Sequence, residues 1–453
     1  MIDRLAIFGV TGDLSGRYLL PGIAALMAAG KLPPGFELAG AGGDEWTDQD
    51  FQIFAGEQLS RHGGGVPPDA FHSVLASARY CRADATDPAA VAGVIAGKGP
   101  IAAYLALPPA VFPGAVSALR DAGLPPGSTI VVEKPFGQSL REAVELNRLL
   151  AATVPEEAVF RVDHFLAMTT VQNILGTRLA NRVLEPIWNS AHIEEVEIVW
   201  DEMVALEGRA GYYDGVGALK DMVQNHLLQL LCLVAMEPPV SSSEHDLRDR
   251  KLDVLRSVRR LGEQDVAHRT RRARYSAGRI GDRDIPAYAD EPGVDPDLRT
   301  ETFAEVELEV ENWRWAGTRF RLRTGKALSR DRAEVAVHFR PVPHLPFTGV
   351  GDPAPNVLRF GHDPETLSLE LTGSGPGPSF GLTPLTLHAR LEPPALPAYG
   401  RLLLDVLDGD PRLSIRGDEA EESWRIVEPV LAGWSRDLVP LEAYPAGSEG
   451  PVR

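Results

Sequence analysis

Apolar residues in the first third of the chain occur in short, mostly unbroken runs that alternate with helical stretches. Continuous runs of this kind are typical of parallel strands that are covered on both faces. One helix is predicted to begin at Ser139, because Ser139 and Glu142 form a capping-box pattern before an apolar face. The predicted strands are Leu5–Val10, Phe36–Ala41, Arg79–Ala83, Ile101–Leu107, Thr129–Glu133 and Ala158–Asp163. The alternation predicts a doubly wound, Rossmann-like α/β domain over residues 1–168.

From Thr169 onward the pattern is different. A long apolar helix is predicted near Asp221–Met236, and many strand-like runs follow it. Several of these runs alternate apolar and polar residues, as antiparallel strands with one open face do. Examples are Phe303–Val310, Arg319–Arg323, Glu334–Phe339, Thr366–Leu371 and Leu385–Ala389. We therefore expect residues 169–453 to form a second, α+β domain with a large, mainly antiparallel sheet.

Composition argues against several classes of function. The 453 residues carry 63 acidic and 45 basic side chains, a formal net charge of −18, which repels phosphate backbones and disfavours nucleic-acid binding. No apolar run reaches the roughly 18 residues of a membrane span. Neither the two cysteines, Cys81 and Cys232, nor the 11 histidines show zinc-ligand spacing, so no metal is expected. The first residues lack a cleavable signal pattern, and we expect a cytoplasmic protein.

A glycine-containing segment follows the first predicted strand and opens a helix. Glycine at such a turn lets backbone N–H groups approach a pyrophosphate, which the start of the helix attracts. The Gly-x-x-Gly spacing is shorter than the full Gly-x-Gly-x-x-Gly fingerprint, so an ordinary strand-to-helix turn is the alternative interpretation. The residues of this segment that we predict to bind a dinucleotide are Gly9, Thr11, Gly12, Asp13 and Leu14.

The end of the second predicted strand indicates which nicotinamide cofactor is preferred. A carboxylate there bonds the ribose 2′-hydroxyl of NAD, whereas an arginine accommodates the 2′-phosphate of NADP. The run Ala39–Glu45 contains no basic residue and ends in Asp44 and Glu45. This favours NAD over NADP, with Asp44 as the ribose contact. The alternative interpretation is that both carboxylates are ordinary loop charges.

Several further motifs, in this order and spacing, resemble the glucose-6-phosphate dehydrogenase family. The resemblance runs over nearly the whole chain and includes Ala106-Leu107-Pro108-Pro109 and Asn312–Gly317. The stretches that carry it most strongly are Gly9–Leu14, Glu133–Gly137, Arg161–Leu166, Gly211–Asp214, Lys220–His226 and Leu322–Lys326. The resemblance implies oxidation of a hexose at C1 to the lactone, with hydride transfer to a nicotinamide cofactor.

The resemblance also implies roles for single residues. His226 is the base that removes the C1 hydroxyl proton, a task that suits an imidazole, and Asp163 is the carboxylate that orients it. Asp221 holds a sugar hydroxyl, and Lys134 contacts both sugar and cofactor. The remaining implied contacts are His164, Glu207 and Lys326 for the substrate and Pro108 for the cofactor.

The sequence departs from the family at two phosphate-binding places. The family continues its Asp-His pair as Tyr-Leu-Gly-Lys, and the histidine, tyrosine and lysine bind the sugar 6-phosphate. This chain has Phe165 and Met168 instead, which offer no charge-assisted donors to a dianion. The family's NADP-preferring members also carry basic residues where Gly16 and Gly43 stand. Both departures predict weaker phosphate binding.

The leading hypothesis is therefore an NAD-preferring hexose 1-dehydrogenase whose substrate lacks a standard 6-phosphate contact. One alternative is an ordinary NADP-dependent glucose-6-phosphate dehydrogenase of the oxidative pentose phosphate pathway, with Arg330 or Arg332 binding the phosphate. Another is a non-catalytic paralogue that regulates an active enzyme. By resemblance, we expect a homodimer or homotetramer that assembles through the second domain.

Overall fold

The chain divides into two compact units, and each unit combines separate stretches of sequence. The computed structural model describes residues 1–76, 78–346, 353–362, 364–375, 381–392 and 394–452. Unit 1 comprises Met1–Met168, Pro239–Asp249 and Pro394–Glu421. Unit 2 comprises Thr169–Pro238, Arg250–Pro393 and Glu422–Arg453. The domain bounds 1–168 and 169–453 stay a prediction. None of the helices in the described residues is long and apolar enough to cross a membrane.

Six parallel strands form the sheet of unit 1. They lie in the order β3-β2-β1-β4-β5-β6, and each neighbouring pair is parallel. Their bounds are β1 Arg4–Phe8, β2 Glu37–Gly42, β3 Ala78–Arg82, β4 Ala102–Leu105, β5 Thr129–Glu133 and β6 Val159–Val162. The strand order reverses beside β1, which is where Rossmann sheets bind dinucleotides. The predicted doubly wound fold is confirmed.

Helices cover this sheet, and one of them comes from far along the chain. The helix Leu140–Ala151 is capped by Ser139, whose hydroxyl accepts a hydrogen bond from the Glu142 N–H at 3.3 Å. The helix Ala398–Asp408 places Leu402, Leu403, Val406 and Leu407 in the same apolar cluster as side chains of β1 and β4. Further helices of unit 1 among the described residues include Ser15–Leu19, Leu20–Ala28, Asp48–His62, Pro68–Ala76, Pro88–Ile95 and Phe112–Asp121.

Unit 2 is built on a nine-stranded sheet and a separate two-stranded hairpin. The order of the large sheet is β16-β15-β14-β13-β7-β12-β11-β8-β17. Its neighbouring strands are antiparallel except for β7 with β12 and β8 with β17, so the expectation of a mainly antiparallel sheet is confirmed. The strands are β7 Ile193–Asp201, β8 Thr270–Ser276, β9 Gly278–Ile280, β10 Arg283–Ile285, β11 Phe303–Leu308, β12 Arg319–Gly325, β13 Arg332–Phe339, β14 Val357–His362, β15 Thr366–Ser374, β16 Leu382–Arg390 and β17 Leu441–Pro445.

The long apolar helix predicted near Asp221–Met236 is present but changes its winding along its length. Leu219–Leu227 is a π-helix, and Leu228–Ala235 continues it as an α-helix. Almost every residue of both segments is buried. Leu228–Ala235 is largely apolar, whereas Leu219–Leu227 also buries the polar side chains of Gln224, Asn225 and His226. Further helices of unit 2 in the described part of the chain include Thr169–Leu179, Ala210–Tyr213 and Glu263–Arg269, while Glu244–Ser257 and Gly417–Ser435 contribute residues to both units.

Candidate active site

A tight turn joins β1 to the first helix of unit 1. Gly9 has a φ of +85°, and a Cβ there would collide with the carbonyl oxygen of Ala106, so the position requires glycine. The Gly12 N–H donates a hydrogen bond to the Gly9 carbonyl at 3.1 Å, and the Ser15 hydroxyl donates to the same oxygen at 3.1 Å. These contacts fix the backbone at the carboxyl end of β1, where a dinucleotide pyrophosphate lies in Rossmann folds.

A cavity of about 590 Å³ lies at this turn. The ends of four strands supply its lining, which includes Phe8, Gly9, Thr11, Gly42, Gly43, Arg82, Ala83, Asp84 and Leu107. The cavity lies at the carboxyl ends of parallel strands and beside the Gly9 turn, which is where a nicotinamide dinucleotide binds in a Rossmann fold. Of the predicted cofactor residues, Gly9 and Thr11 line it. The others, Gly12, Asp13, Leu14, Asp44, Pro108 and Lys134, lie outside its described lining.

The end of β3 places an arginine in the cavity that is absent from the predicted site residues. Arg82 lines the cavity, and its guanidinium donates a hydrogen bond to the Glu45 carboxylate. The backbone of Asp44 is held by the Tyr80 hydroxyl, which donates to the Asp44 carbonyl at 3.1 Å. Among the described residues, no atom lies within 4 Å of the position that a Cβ of Gly43 would occupy. The one signal for Arg82 in the sequence is its position near the carboxyl end of a predicted strand.

Lys134 follows a buried carboxyl group at the end of β5. Glu133 is 8% exposed, and the Tyr104 hydroxyl donates a hydrogen bond to it at 2.5 Å. Burial raises the pKa of Glu133 to about 7, against the opposing effects of Tyr104 and the Lys134 charge. Burial also raises the pKa of Tyr399, which is hydrogen-bonded to the same carboxyl group. Unit 1 therefore holds a carboxyl group that can change its charge near neutral pH.

The segment after β6 carries Asp163 and the changed residues of the 6-phosphate motif. Asp163 is buried, and its carboxylate accepts a hydrogen bond from the Phe165 N–H at 3.0 Å. The His164 ring stacks on Tyr399 with ring centres 5.5 Å apart. Phe165 is buried and Met168 is half-buried. Neither side chain can donate a charge-assisted hydrogen bond, so these two positions add no phosphate ligand.

A buried arginine anchors β6 two residues before Asp163. Arg161 has no exposed surface. It donates to the two Glu156 carboxylate oxygens at 2.6 and 3.2 Å and to the Asn147 side chain at 3.1 Å. Its backbone N–H donates to the Ser414 hydroxyl at 2.8 Å. β6, which Asp163 follows directly, is thus tied to two other parts of unit 1.

In unit 2, His226 lies near the end of the π-helix and is 1% exposed. The backbone N–H of His226 donates to the Asn225 side-chain oxygen at 2.6 Å, and the Asn225 side-chain amide donates to the Lys220 carbonyl at 2.9 Å. The Tyr212 hydroxyl donates to the Asp221 carboxylate at 3.2 Å. The π-helix places three chemically active side chains, Asp221, Asn225 and His226, within one turn and a half. π-Helical segments are frequent at functional sites.

The other two predicted sugar contacts also lie in unit 2. Lys326 follows β12, donates to the Glu202 carboxylate at 2.5 Å and lies over the Tyr213 ring at 5.3 Å. Glu207 has a φ of +48°, and its exposed carboxylate accepts a hydrogen bond from Arg283 at 3.0 Å. Both side chains are in ion pairs. A sugar hydroxyl that bound either of them would share or replace its present partner.

Comparison with known proteins decides the family. A family model described as "Glucose-6-phosphate dehydrogenase, NAD binding domain" matches residues 6–173, and one described as the C-terminal domain of the same enzyme matches residues 175–453. This chain belongs to the glucose-6-phosphate dehydrogenase family. A glucose-6-phosphate 1-dehydrogenase of Treponema pallidum is 39% identical over 99% of this chain and 92% of its own.

Solved structures of the glucose-6-phosphate dehydrogenase family have the same fold. One from Mycobacterium avium is 33% identical, with a TM-score of 0.87 over 99% of this chain and 95% of its own. Another, a glucose-6-phosphate dehydrogenase in complex with glucose-6-phosphate, is 29% identical, with a TM-score of 0.89 over 99% of this chain and 96% of its own. Members of the family are oxidoreductases that act on CH–OH groups with a nicotinamide cofactor, and this chain is one of them.

Because the carboxyl group of Glu133 is buried, we expect it to make the free energy of unfolding depend on pH. Its pKa rises from the ordinary 4.5 to about 7 on folding, so the folded state binds the proton more tightly. The resulting stabilisation is complete below pH 4.5 and is lost as the pH rises through 7. We expect Glu133→Gln to remove on the order of 2 kcal/mol of this pH dependence. Urea unfolding at pH 5 and pH 8 measures it.

Glu57→Gln is the matched control for this pH dependence. Glu57 is exposed on the helix Asp48–His62, so its loss should leave the pH dependence as it is in the wild type. A Glu133→Gln protein that loses as much stability between pH 5 and pH 8 as the wild type would contradict the raised pKa.

Proposed function

We propose that the protein oxidises a hexose at C1 to the lactone and passes the hydride to a nicotinamide cofactor. The cavity at the Gly9 turn, in a chain of this family, is the observation that carries the proposal. We propose His226 as the base and Asp163 as the carboxylate that orients it. The proposed substrate contacts are Lys134, His164, Glu207, Asp221 and Lys326, and the proposed cofactor contacts are Gly9, Thr11, Gly12, Asp13, Leu14, Asp44, Pro108 and Lys134.

The chemistry assigned to the side chains is a proton transfer. The C1 hydroxyl must lose its proton as its hydride leaves for the nicotinamide, which accepts the hydride when it is bound. An imidazole titrates near neutral pH and takes a proton without becoming a strong acid. A carboxylate on its other nitrogen fixes the tautomer and stabilises the imidazolium. The buried position of His226 limits the exchange of that proton with water.

The side chains after Asp163 support a substrate without a standard 6-phosphate contact. A buried Phe165 and a half-buried Met168 replace a hydroxyl and an ammonium, and each lost charged hydrogen bond is worth about 1.5–3 kcal/mol. His164, stacked on Tyr399, is the polar side chain that the motif retains. Arg330 and Arg332, considered above as replacements, are both in ion pairs, with Glu449 and Glu334 respectively.

Steady-state kinetics with glucose and with glucose 6-phosphate tests this proposal, with each of the two cofactors. We expect turnover with NAD, and a kcat/KM for glucose that equals or exceeds the value for glucose 6-phosphate. A much higher kcat/KM for the phosphorylated sugar would show that other groups bind the 6-phosphate. Absence of turnover with any hexose would instead favour the non-catalytic paralogue.

The absence of a basic side chain at the end of β2 supports NAD as the preferred cofactor. Gly43 lines the cavity and has open space around its Cβ position without a positive φ. An arginine therefore fits there without strain and supplies a ligand for a 2′-phosphate. We expect Gly43→Arg to raise the ratio of kcat/KM with NADP to that with NAD about 10- to 100-fold.

Gly64→Arg is the matched control for that variant. Gly64 is exposed and equally open, and it lies outside the described lining of the cavity. The same added charge should leave the cofactor ratio unchanged there. If Gly43→Arg and Gly64→Arg change the ratio equally, the effect comes from overall charge and the assignment of the β2 end is wrong.

A second candidate function is an NADP-dependent glucose-6-phosphate dehydrogenase. Arg82 in the cavity favours it, because a guanidinium there can bind a 2′-phosphate. The names of the relatives also favour glucose 6-phosphate as the substrate. The same kinetic comparison separates the two candidates, since this one requires a clear preference for NADP and for the phosphorylated sugar.

We also propose that the protein assembles as a homodimer or homotetramer. The support for this is the resemblance to the family, together with the large sheet of unit 2. Light scattering coupled to size-exclusion chromatography measures the mass in solution. A mass near the 49.0 kDa of one chain would contradict assembly.

A further inference from the structure

The cavity of unit 1 carries an ion pair that joins the ends of β2 and β3. Arg82 ends β3 and lies in register with Gly42 at the end of β2. Its guanidinium contacts the carboxylate of Glu45, three residues beyond that point. The two side chains are 61% and 79% exposed. Because an exposed ion pair contributes little to stability, either side chain can be replaced at low cost to the fold.

The described lining of this cavity carries few charged side chains. Of the described residues that line the cavity, Arg82 alone carries a positive charge, and Asp84 carries a negative one. The Asp84 carboxylate accepts hydrogen bonds from the Thr86 N–H and hydroxyl, both at 2.8 Å, and so closes its own turn. An anion that enters this end of the cavity therefore meets Arg82 as its cationic ligand.

The position of Glu45 is set by the neighbouring backbone. The Tyr80 hydroxyl donates to the Asp44 carbonyl, and burial raises the pKa of Tyr80, so it stays a neutral donor. The Tyr80 ring packs against Trp46, with ring centres 5.7 Å apart. Residues on both sides of Glu45 are thus held in place, which sets its backbone next to the end of β3.

We propose that the Arg82–Glu45 ion pair sets the choice between NAD and NADP. The inference rests on the proposed function, in which this cavity takes the adenosine half of the cofactor. The 2′-phosphate of NADP is a dianion that an arginine binds with two parallel charged hydrogen bonds. Glu45 occupies that guanidinium and repels the dianion. The ribose 2′-hydroxyl of NAD, by contrast, only needs an acceptor such as a carboxylate.

Three variants test the pair. Glu45→Gln removes the competing charge and should raise the ratio of kcat/KM with NADP to that with NAD about tenfold or more. Arg82→Ala should lower this ratio, and the double variant Glu45→Gln/Arg82→Ala should lose the gain. Glu57→Gln removes the same charge from the exposed pair with Arg61 on a neighbouring helix and should leave the ratio unchanged.

An unchanged ratio in Glu45→Gln, or an equal gain in the double variant, would overturn the inference. Calorimetric binding of NADP and NAD to the same proteins gives the comparison without turnover. If the wild type oxidises no hexose while the ratio of the two affinities changes as described, the proposed activity fails and the assignment of the ion pair stands. If hexose is oxidised and the ratios do not change, the proposed activity stands and the assignment of the ion pair fails.

Discussion

His226→Asn is expected to lower kcat by about 10²- to 10⁴-fold, the usual contribution of a positioned general base. Asparagine keeps a polar side chain of similar size but cannot accept the C1 hydroxyl proton at neutral pH. The KM for the hexose should change much less, since the sugar contacts remain. The limb of the kcat–pH profile that reports the base should disappear at the same time. Stopped-flow absorbance of the reduced nicotinamide at several pH values measures both effects.

His268→Asn is the control for this experiment. His268 is exposed on the helix Glu263–Arg269 and should tolerate the change without loss of turnover. Circular dichroism and thermal unfolding must first show that the His226→Asn protein is folded, because its side chain is buried. A folded variant that keeps more than about a tenth of wild-type kcat would remove His226 from the proposed chemistry.

Arg161→Met is expected to lower the free energy of unfolding by about 3–4 kcal/mol. The methionine fills much of the volume, but the Glu156 carboxylate and the Asn147 side chain lose their shared partner. This loss of unfolding free energy is at the low end of the range for breaking a buried ion pair. The reason is that Glu156 is 36% exposed, so water replaces part of the interaction. Chemical denaturation monitored by tryptophan fluorescence measures the loss.

Arg120→Met provides the comparison for an exposed pair. Arg120 and Asp121 form an ion pair with side chains 43% and 51% exposed, and such pairs contribute about 0–1 kcal/mol. The two variants remove the same group from different surroundings. Equal losses in Arg120→Met and Arg161→Met would mean that the network around Arg161 does not stabilise unit 1.

The strands of unit 1 were predictable because their signal is local. Unbroken apolar runs such as Thr129–Glu133 match the observed strand, since parallel strands are buried on both faces. The Gly9 turn was equally visible, as glycine follows the first strand directly. In unit 2, alternating runs such as Phe303–Val310 also matched strands, but the parallel pairing of β7 with β12 depends on register, which periodicity does not encode.

Other features depend on contacts between distant residues and could not be read from local pattern. Arg82 joins the cavity only because β3 lies beside β2, and it faces Glu45 across 37 positions of sequence. The π-helical winding of Leu219–Leu227 is a property of the backbone that the spacing of apolar and polar residues does not specify. The placement of Ala398–Asp408 against β1 and β4 could not be predicted from the sequence either, since an apolar helix face does not specify which surface it packs against.

The membership of Ala398–Asp408 in unit 1 has a consequence for how the protein is made. Its leucines complete an apolar cluster that contains side chains of the very first strand, and the Ile2 N–H donates to the Leu407 carbonyl at 2.5 Å. A ribosome translates most of the chain before this helix emerges. Until then, the apolar surface that this helix covers in unit 1 is exposed on the nascent chain. Exposed apolar surface of this kind promotes aggregation, against which chaperones normally protect a growing polypeptide.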